Sequence, residues 1–238
     1  MEDIEKITLS SCDYVLPFPH PGDWALNPQS CQLLGSLLRI LRVENALEFG
    51  SGYSSSLIAY ELERKHQGTL HSIDNSARWS KSAKNFAVKN HLSHRISFHV
   101  FQLSLKIYPK IAYVFYNIDN KLADLWPMYD FVVIDGPHHD VGRDGALYEI
   151  FSKLKVGGYF FVDDSRADHM RASIEKWAVS FPKSISITHL HGIGNGITII
   201  KKTSQSNNEP LISAKQSLKL WIKALRNYIR LHRLKLND

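Results

Sequence analysis

The chain has 238 residues, 44% of them hydrophobic, which is enough for one sizeable α/β domain with small additions. Its net charge of +6 comes from the end of the chain, because from Ser213 onward there are seven Lys or Arg and one acid, while the rest holds 22 of each sign. This distribution argues against a nucleic-acid-binding surface spread over the whole chain. Cys12 and Cys31 form neither a disulfide framework nor a zinc pattern and favour a reducing, cytoplasmic location.

The opening residues are acidic and do not resemble a signal peptide. No apolar run approaches the roughly 20 residues of a membrane span. Residues 1–30 predict an extended arm, because four prolines there fix φ and lack a backbone donor. A helix is predicted over 31–41, where leucines recur at helical spacing.

The pattern of apolar residues predicts alternating strands and helices after residue 45. The predicted strands are 46–49, 68–74, 95–102, 129–135, 159–162, 184–191 and 196–201, and the predicted helices are 54–65, 79–90, 144–154 and 171–179. The segment 112–117 has strand composition and predicts an inserted hairpin or edge ribbon. The fold class predicted is a doubly wound α/β domain with a mostly parallel seven-stranded sheet and a C-terminal antiparallel hairpin at G-I-G-N-G. The domain spans 31–202, a polar linker covers 203–213, and a basic amphipathic helix covers 214–238.

The stretch A-L-E-F-G-S-G-Y-S-S-S-L-I-A at 46–59 reads as a strand, a tight turn and a helix start. Its glycines permit positive φ and close approach of a ligand, and its serines can cap the helix. A dinucleotide fingerprint wants a third glycine where Ser55 stands. Glu48 would repel a pyrophosphate but can accept hydrogen bonds from a cationic amino group, which S-adenosylmethionine (SAM) possesses. Asp74 ends the next strand 22 residues after Gly52, near the spacing for a ribose contact, although it could instead cap the following helix.

The order E-F-G-S-G, I-D, V-V-I-D-G-P and V-G-G-Y-F-F-V-D-D-S resembles the class I SAM-dependent methyltransferases, in the small-molecule branch with D-G-P and D-D turns, over residues 24–201. The resemblance implies a Rossmann-like fold and SAM as cofactor. The candidate cofactor-binding residues are Glu48, Gly50, Ser51, Gly52, Ser54, Asp74, Asn75, Gln102 and Asp135. Relatives place an acid where Gln102 stands, so the adenine contact here would use its amide oxygen. In such relatives the arm lies against the pocket, so Trp24, Asn27 and Gln29 either touch the ligand or pack.

Three carboxylates at neighbouring strand ends are predicted to converge, namely Asp135, Asp163 and Asp164. In metal-dependent O-methyltransferases an Asp follows the fourth strand and an Asp-Asn pair the fifth, so the resemblance makes these three the candidate ligands of Mg²⁺ or another divalent cation, with Asp in place of Asn. Without a metal, His138 or His139 is the expected base. The candidate catalytic residues are therefore Asp135, His138, His139 and Asp163. Helix capping or holding the turn is the structural alternative for the aspartates.

The turn D-G-P-H favours O-methylation, because the N/D-P-P-aromatic turn of amino methylation is absent. The expected acceptor is a small molecule or a glycan. In the tail, Leu218, Trp221, Ile222, Leu225, Tyr228 and Ile229 fall on one helical face and Lys219, Lys223, Arg226, Arg230 and Arg233 on the other. Such a helix can lie on an anionic membrane surface, bind an acidic partner, pack on its own domain or join two subunits in a homodimer. An RNA methyltransferase that uses this tail, and a non-catalytic partner-binding module, are the alternative functions.

Overall fold

A computed structural model of the protein describes residues 13–22, 25–118, 124, 126–138, 141–205 and 210–234. Six α-helices lie in this part of the chain: α1 Pro28–Ile40, α2 Tyr53–Arg64, α3 Ala77–Lys89, α4 Gly145–Ile150, α5 Asp168–Ser180 and α6 Ala214–Arg233. The strands are β1 Asn45–Phe49, β2 Thr69–Asp74, β3 Ile96–Val100, β4 Leu103–Ile107, β5 Ala112–Tyr116, β6 Tyr129–Ile134, β7 Leu154–Val162, β8 Ile185–Leu190 and β9 Ile197–Lys202.

Seven strands form one sheet in the order β3-β2-β1-β6-β7-β9-β8. The first five of these run parallel to one another, and β9 is antiparallel to both β7 and β8. The predicted doubly wound, mostly parallel sheet with a C-terminal antiparallel hairpin is confirmed. The strand order reverses between β1 and β6, and ligands of open α/β sheets bind at the carboxyl ends of the strands on either side of such a reversal.

The central strands are buried on both faces, as their near-continuous apolar sequences predict. Leu47, Phe49 and Val132 belong to the hydrophobic cluster on one face of the sheet, and Ala46 and Phe131 belong to the cluster on the other. Alternate residues of one strand therefore pack into the two hydrophobic clusters, one on each face of the sheet. The carboxyl ends of these strands are fixed from both sides.

The first helix begins earlier than predicted. Pro28, assigned to the extended arm, is the first residue of α1, and the side chain of Asn27 accepts a hydrogen bond from the backbone N–H of Gln29 at 3.0 Å. Proline is favoured at this position, because the N–H that it lacks has no partner inside the helix. The predicted arm is therefore shorter at its C-terminal end.

The fifth parallel strand also begins earlier than predicted, at Leu154 instead of residue 159. Helix α4 ends at Ile150, and one short 3₁₀ turn separates it from β7. Gly157 lies inside the strand with φ of +87°, where the pairing of β6 with β7 shifts register. Between the pairs Tyr129–Leu154 and Phe131–Tyr159, β7 has three more residues than β6, and the irregularity absorbs them without ending the strand.

The predicted insertion is a hairpin of β4 and β5, which forms a separate two-stranded antiparallel sheet. The predicted strand 95–102 stops at Val100, and the backbone N–H of Phe101 donates to the carbonyl oxygen of Asp74. The hairpin then begins at Leu103. All five residues of β5 are buried. The description as an edge ribbon was therefore wrong for β5, which is part of the core.

The C-terminal helix α6 packs on β4 and β5 through a face that its sequence pattern did not single out. Leu220, Ala224 and Leu231 are buried there. A second sector carries large apolar side chains exposed to solvent, which we call the apolar row: Leu218, Trp221, Ile222, Leu225 and Ile229. A third sector, the basic row, carries Lys215, Lys219, Arg226, Arg230 and Arg233, all exposed. Among the described residues, no helix is both long and apolar enough to cross a membrane.

Candidate active site

The two glycines of the turn between β1 and α2 have different roles. Gly50 has φ of +97°, and a Cβ there would lie 3.0 Å from the backbone nitrogen of Gly136. Gly52 has φ of −170°, which any residue can adopt, and a Cβ there would meet nothing within 4 Å. The expectation of positive φ therefore applies to Gly50 alone. The small size of Gly52 leaves open space directly before the first turn of α2, whose N–H groups suit an electron-rich ligand atom.

Glu48 is fully buried beneath this turn. Its Oε2 atom accepts hydrogen bonds from the hydroxyls of Ser55 at 2.5 Å and Ser72 at 2.8 Å. Burial raises the pKa of Glu48 to about 7, although hydrogen bonds from Ser54, Ser55 and Ser72 lower it. Ser55, the residue that breaks the dinucleotide fingerprint, also accepts a hydrogen bond from the N–H of Gly52 at 3.0 Å. The carboxyl group thus connects β1, β2 and the start of α2.

Asp74 lies at the carboxyl end of β2, beside the glycine turn. Its Oδ2 accepts from the backbone N–H of Ser51 at 2.8 Å, and its Oδ1 accepts from that of Ser76 at 2.7 Å. Burial raises the pKa of Asp74, and these backbone N–H groups lower it. Each carboxylate oxygen has more than one lone pair, so both stay able to accept from a ligand hydroxyl. The N-cap of α3 is Ser76, whose hydroxyl accepts from the N–H of Trp79, so Asp74 holds the residues before the helix and does not cap it.

The three predicted carboxylates do converge. Asp135 follows β6, Asp163 and Asp164 follow β7, and each offers an oxygen within 4.8 Å of the others. Asp164 has φ of +57°, an uncommon conformation for a residue other than glycine. The hydroxyl of Ser30 on α1 donates to Asp163 at 3.4 Å. The start of α1 therefore closes over this acidic cluster.

A cation that the sequence did not reveal balances the cluster. The Nη2 atom of Arg143 lies 3.2 Å from Asp135 and 3.3 Å from Asp164. Its Nε atom donates to the carbonyl oxygen of Pro137 at 3.1 Å, and its side chain is only 5% exposed. Burial raises the pKa of Asp135 to about 6, while Arg143 lowers it. Burial and the neighbouring aspartates raise the pKa of Asp163 well above its usual value.

The loop that carries Arg143 is held by α6. The side chain of Asn227 donates to the carbonyl oxygen of Val141 at 2.5 Å. Lys223 forms an ion pair with the buried Asp144 at 2.5 Å. Residues on both sides of Arg143 are therefore fixed by the C-terminal helix.

Several other predicted residues occupy positions beside the site. His138 lies partly buried on the turn after β6, and its carbonyl oxygen accepts from Val141. Gln102 is exposed just after β3, with its carbonyl oxygen accepting from Asn117, and Asn75 follows Asp74 on the same turn. His139 and Trp24 lie outside the described residues. Asn27 caps α1, while the Gln29 side chain accepts from the N–H of Gly194, so both have structural partners.

Tyr116 is a further residue beside the site that the sequence did not single out. It is fully buried at the end of β5, and its ring stacks on Phe49 with centroids 5.6 Å apart. A Cβ on Gly136 would come within 2.4 Å of the Tyr116 hydroxyl oxygen, so Gly136 is required for this contact. The hydroxyl thus lies under the junction of the glycine turn and the D-G-P turn.

The fold and site define a methyltransferase of the class I type. Residues 47–165, half of the chain, match the family model of a methyltransferase domain. The chain belongs to this family, and the predicted class I SAM-dependent methyltransferase is confirmed. No curated protein sequence matches the chain.

Solved structures with the same fold include O-methyltransferases. TomG from Streptomyces achromogenes, an O-methyltransferase involved in tomaymycin synthesis and solved with SAM, is 19% identical with a TM-score of 0.56, over 86% of this chain and 91% of that one. The O-methyltransferase of Bacillus cereus in complex with SAH, the demethylated product of SAM, is 16% identical with a TM-score of 0.57, over the same shares. A Podospora anserina methyltransferase bound to SAH is 17% identical with a TM-score of 0.55, over 86% and 89%.

Proposed function

We propose that the protein transfers the methyl group of SAM to a hydroxyl of a small-molecule acceptor. The observation that carries this proposal is the contact between the glycine turn and the acidic cluster. The backbone N–H of Asp135 donates to the carbonyl oxygen of Phe49 at 3.0 Å, and Gly50 packs against Gly136 with no room for a Cβ. A cofactor on the turn would therefore have carboxylates immediately beside it, at the carboxyl ends of β6 and β7.

The turn residues fit SAM by their geometry. The space at Gly52 accommodates a ligand against the N-terminus of α2, and Asp74 has oxygens available to ribose hydroxyls. Ser51 and Ser54 would line the same turn, with Asn75 and Gln102 on the adenine side. Because Glu48 already accepts hydrogen bonds from the hydroxyls of Ser55 and Ser72, we assign Glu48 to holding the turn. When bound, SAM supplies a methyl group activated by the sulfonium.

The protein has to orient the acceptor and take its proton. We assign the base to Asp135, because its side chain is 26% exposed, whereas Asp163 is 4% exposed. A base with a pKa near 6 is largely ionised at neutral pH and still accepts a proton readily. Asp163 would hold the acceptor or Asp135 in place. His138 and His139 are the alternative bases.

A divalent cation fits the carboxylates in ligand type and in spacing. Asp135, Asp163 and Asp164 would hold it, and it would lower the pKa of the acceptor hydroxyl. Arg143 competes for this position, because its guanidinium already pairs with Asp135 and Asp164. Replacement of Arg143 by alanine would test the competition between these two cations directly.

The acceptor class is supported by the O-methyltransferases among the similar structures and by the D-G-P-H turn. We favour a hydroxyl-rich molecule such as a glycan unit, and we propose peripheral association with a membrane.

The homodimer, the RNA methyltransferase and the non-catalytic binding module remain alternatives. A binding module would keep its partner when Asp135 is changed, whereas an RNA methyltransferase would bind RNA with a steep dependence on salt.

Calorimetric titration tests the cofactor. We expect the purified protein to bind SAM and SAH but not NAD, with and without magnesium. Transfer of labelled methyl to a panel of phenols, sugars and glycans then tests the reaction. Asp135→Asn should abolish transfer while SAM still binds, and the exposed Asp168→Asn is the matched control. Failure of the folded protein to bind SAM would overturn the proposal.

A further inference from the structure

The exposed sectors of α6 have the composition of a surface that contacts lipid. The apolar row follows a spacing of four, three and four residues from Leu218 to Ile222, Leu225 and Ile229, with Trp221 alongside. These side chains are between 38% and 64% exposed. They do not serve the core, because Leu220, Ala224 and Leu231 already attach the helix to the domain.

The basic row runs beside the apolar row on the solvent side. Helix α6 contains six Lys or Arg and no Asp or Glu over 20 residues. One of the six, Lys223, pairs with Asp144, and the other five belong to the basic row. A helix surface that combines a line of large apolar side chains with several exposed basic residues and no acid is complementary to anionic headgroups above acyl chains.

We infer that the apolar and basic rows of α6 bind in the plane of a bilayer that contains anionic lipids. A second copy of the chain is a poorer occupant, because a dimer through this face would bring two acid-free basic helices together. RNA is a poorer occupant as well, since it would contact the basic row and leave the apolar row exposed to water. The buried face of α6 fixes the helix on the domain, so the apolar row can contact lipid while the protein stays folded.

This inference rests on the proposed function in one respect and deepens it, because it names the surface at which the enzyme would meet its acceptor. Asn227 and Lys223 of the same helix hold the loop that carries Arg143 to the acidic cluster. Lipid binding and the active site therefore share one rigid helix.

Vesicle co-sedimentation of the full chain tests the inference. We expect binding to phosphatidylcholine vesicles that contain phosphatidylglycerol, and weak binding to phosphatidylcholine alone. The double variant Leu225→Glu/Ile229→Glu should bind at least about tenfold more weakly, because it places charge in the apolar row. The triple variant Lys215→Gln/Lys219→Gln/Arg226→Gln should lose the preference for anionic vesicles. Val88→Glu changes a comparably exposed apolar residue on α3 and should leave binding unchanged.

Tryptophan fluorescence provides a second readout. Vesicles should shift the emission of the wild type to shorter wavelength, and Trp221→Phe should remove most of that shift while keeping affinity within a fewfold. Absence of wild-type binding to anionic vesicles, or equal binding by the Leu225→Glu/Ile229→Glu variant, would overturn the inference. Two other results would overturn it: a dimer in solution that this variant dissociates, or binding of RNA that displaces vesicles. SAM titration of each variant separates failure of this inference from failure of the proposed function.

Discussion

The Nη2 atom of Arg143 lies 3.2 Å from the Oδ1 atom of Asp135, eight residues before it in the chain. The same nitrogen lies 3.3 Å from Asp164, so one guanidinium joins the ends of two neighbouring strands. The Arg143 side chain is only 5% exposed, while those of Asp135 and Asp164 are 26% and 28% exposed, so loss of the aspartates would leave a buried guanidinium without its charge partners. The acidic cluster therefore depends on a residue of the following loop for its charge balance.

The first prediction concerns pH. If Asp135 is the base, activity should rise as pH increases through about 6, because the carboxylate form is the active one. Arg143 lowers the pKa of Asp135, so Arg143→Ala should raise it and move the acid limb of the kcat/KM profile to higher pH. Arg166→Ala is the control, since Arg166 donates to the carbonyl of Gly194 and no ion pair with an aspartate is found for it among the described residues. An unmoved acid limb would assign the base elsewhere.

A second prediction concerns metal binding. Arg143→Ala frees Asp135 and Asp164 and should increase affinity for Mn²⁺ by roughly tenfold or more, since it removes a competing charge from the carboxylates. Calorimetry or the electron paramagnetic resonance signal of Mn²⁺ reports this without any acceptor. Adding Asp163→Asn to the variant should cancel the gain. Equal Mn²⁺ affinity in the wild type and Arg143→Ala would show that Arg143 does not compete.

The third prediction separates the two turn glycines. Gly52→Ala should leave thermal stability nearly unchanged, yet weaken SAM binding by roughly tenfold, because the methyl group enters the ligand space. Gly50→Ala should lower the free energy of unfolding by about 1–3 kcal/mol, because an L-residue is strained at φ of +97° and lacks room. Thermal unfolding and SAM titration of both variants check this. A large loss of stability in Gly52→Ala would contradict the assignment.

The fourth prediction concerns Glu48 and stability. Its pKa is raised from 4.5 to about 7, so its contribution to stability is full below about 4.5 and is lost as pH rises to 7. The loss is of the order of 3 kcal/mol for a fully buried group. Glu48→Gln does not titrate, so its stability relative to the wild type should increase between pH 4.5 and 7. Urea unfolding of both proteins at these two pH values measures the difference. A pH-independent difference would mean that Glu48 has an ordinary pKa.

The fifth prediction tests the attachment of α6. Lys223→Met should destabilise the protein by about 1–3 kcal/mol at neutral pH, because the buried Asp144 loses the nearer of the two lysines that pair with it among the described residues and keeps Lys176. Lys223 and Lys176 lower the pKa of Asp144 against the effect of burial. That contribution exists above the unfolded pKa and is lost as pH falls through the folded one, so the difference between variant and wild type should shrink in acid. The exposed Lys215→Met on the same helix should have little effect.

The sequence predicted those parts of the fold that depend on local pattern. The strand ending before Asp135 is a near-continuous apolar run that stops at an acid, and this pattern was sufficient. The start of α1 at Pro28 was missed, because a proline near other prolines resembles an extended arm unless its capping partner is recognised. Convergence of Asp135 with Asp163 followed from strand order alone.

The features that the sequence did not predict depend on how loops fold back onto the ends of the strands. Arg143 is eight residues beyond Asp135 on an irregular segment, and no periodicity places its side chain back on the strand ends. The signal that could have found it is chemical, since three converging carboxylates require a nearby cation. The orientation of α6 was likewise hidden, because a helical wheel separates Leu225 from Arg226 but does not say that Leu220 faces the protein.

The burial of Leu220 and Leu231 within the main hydrophobic cluster makes α6 a structural part of the catalytic unit. A truncation at the predicted linker 203–213 would uncover β5, all of whose residues are apolar or aromatic. It would also release the loop of residues 141–144 from its two attachments on the helix. A shortened protein for biochemical work should therefore keep the chain through Arg233, since a fragment ending at Lys202 would lack one wall of its own core.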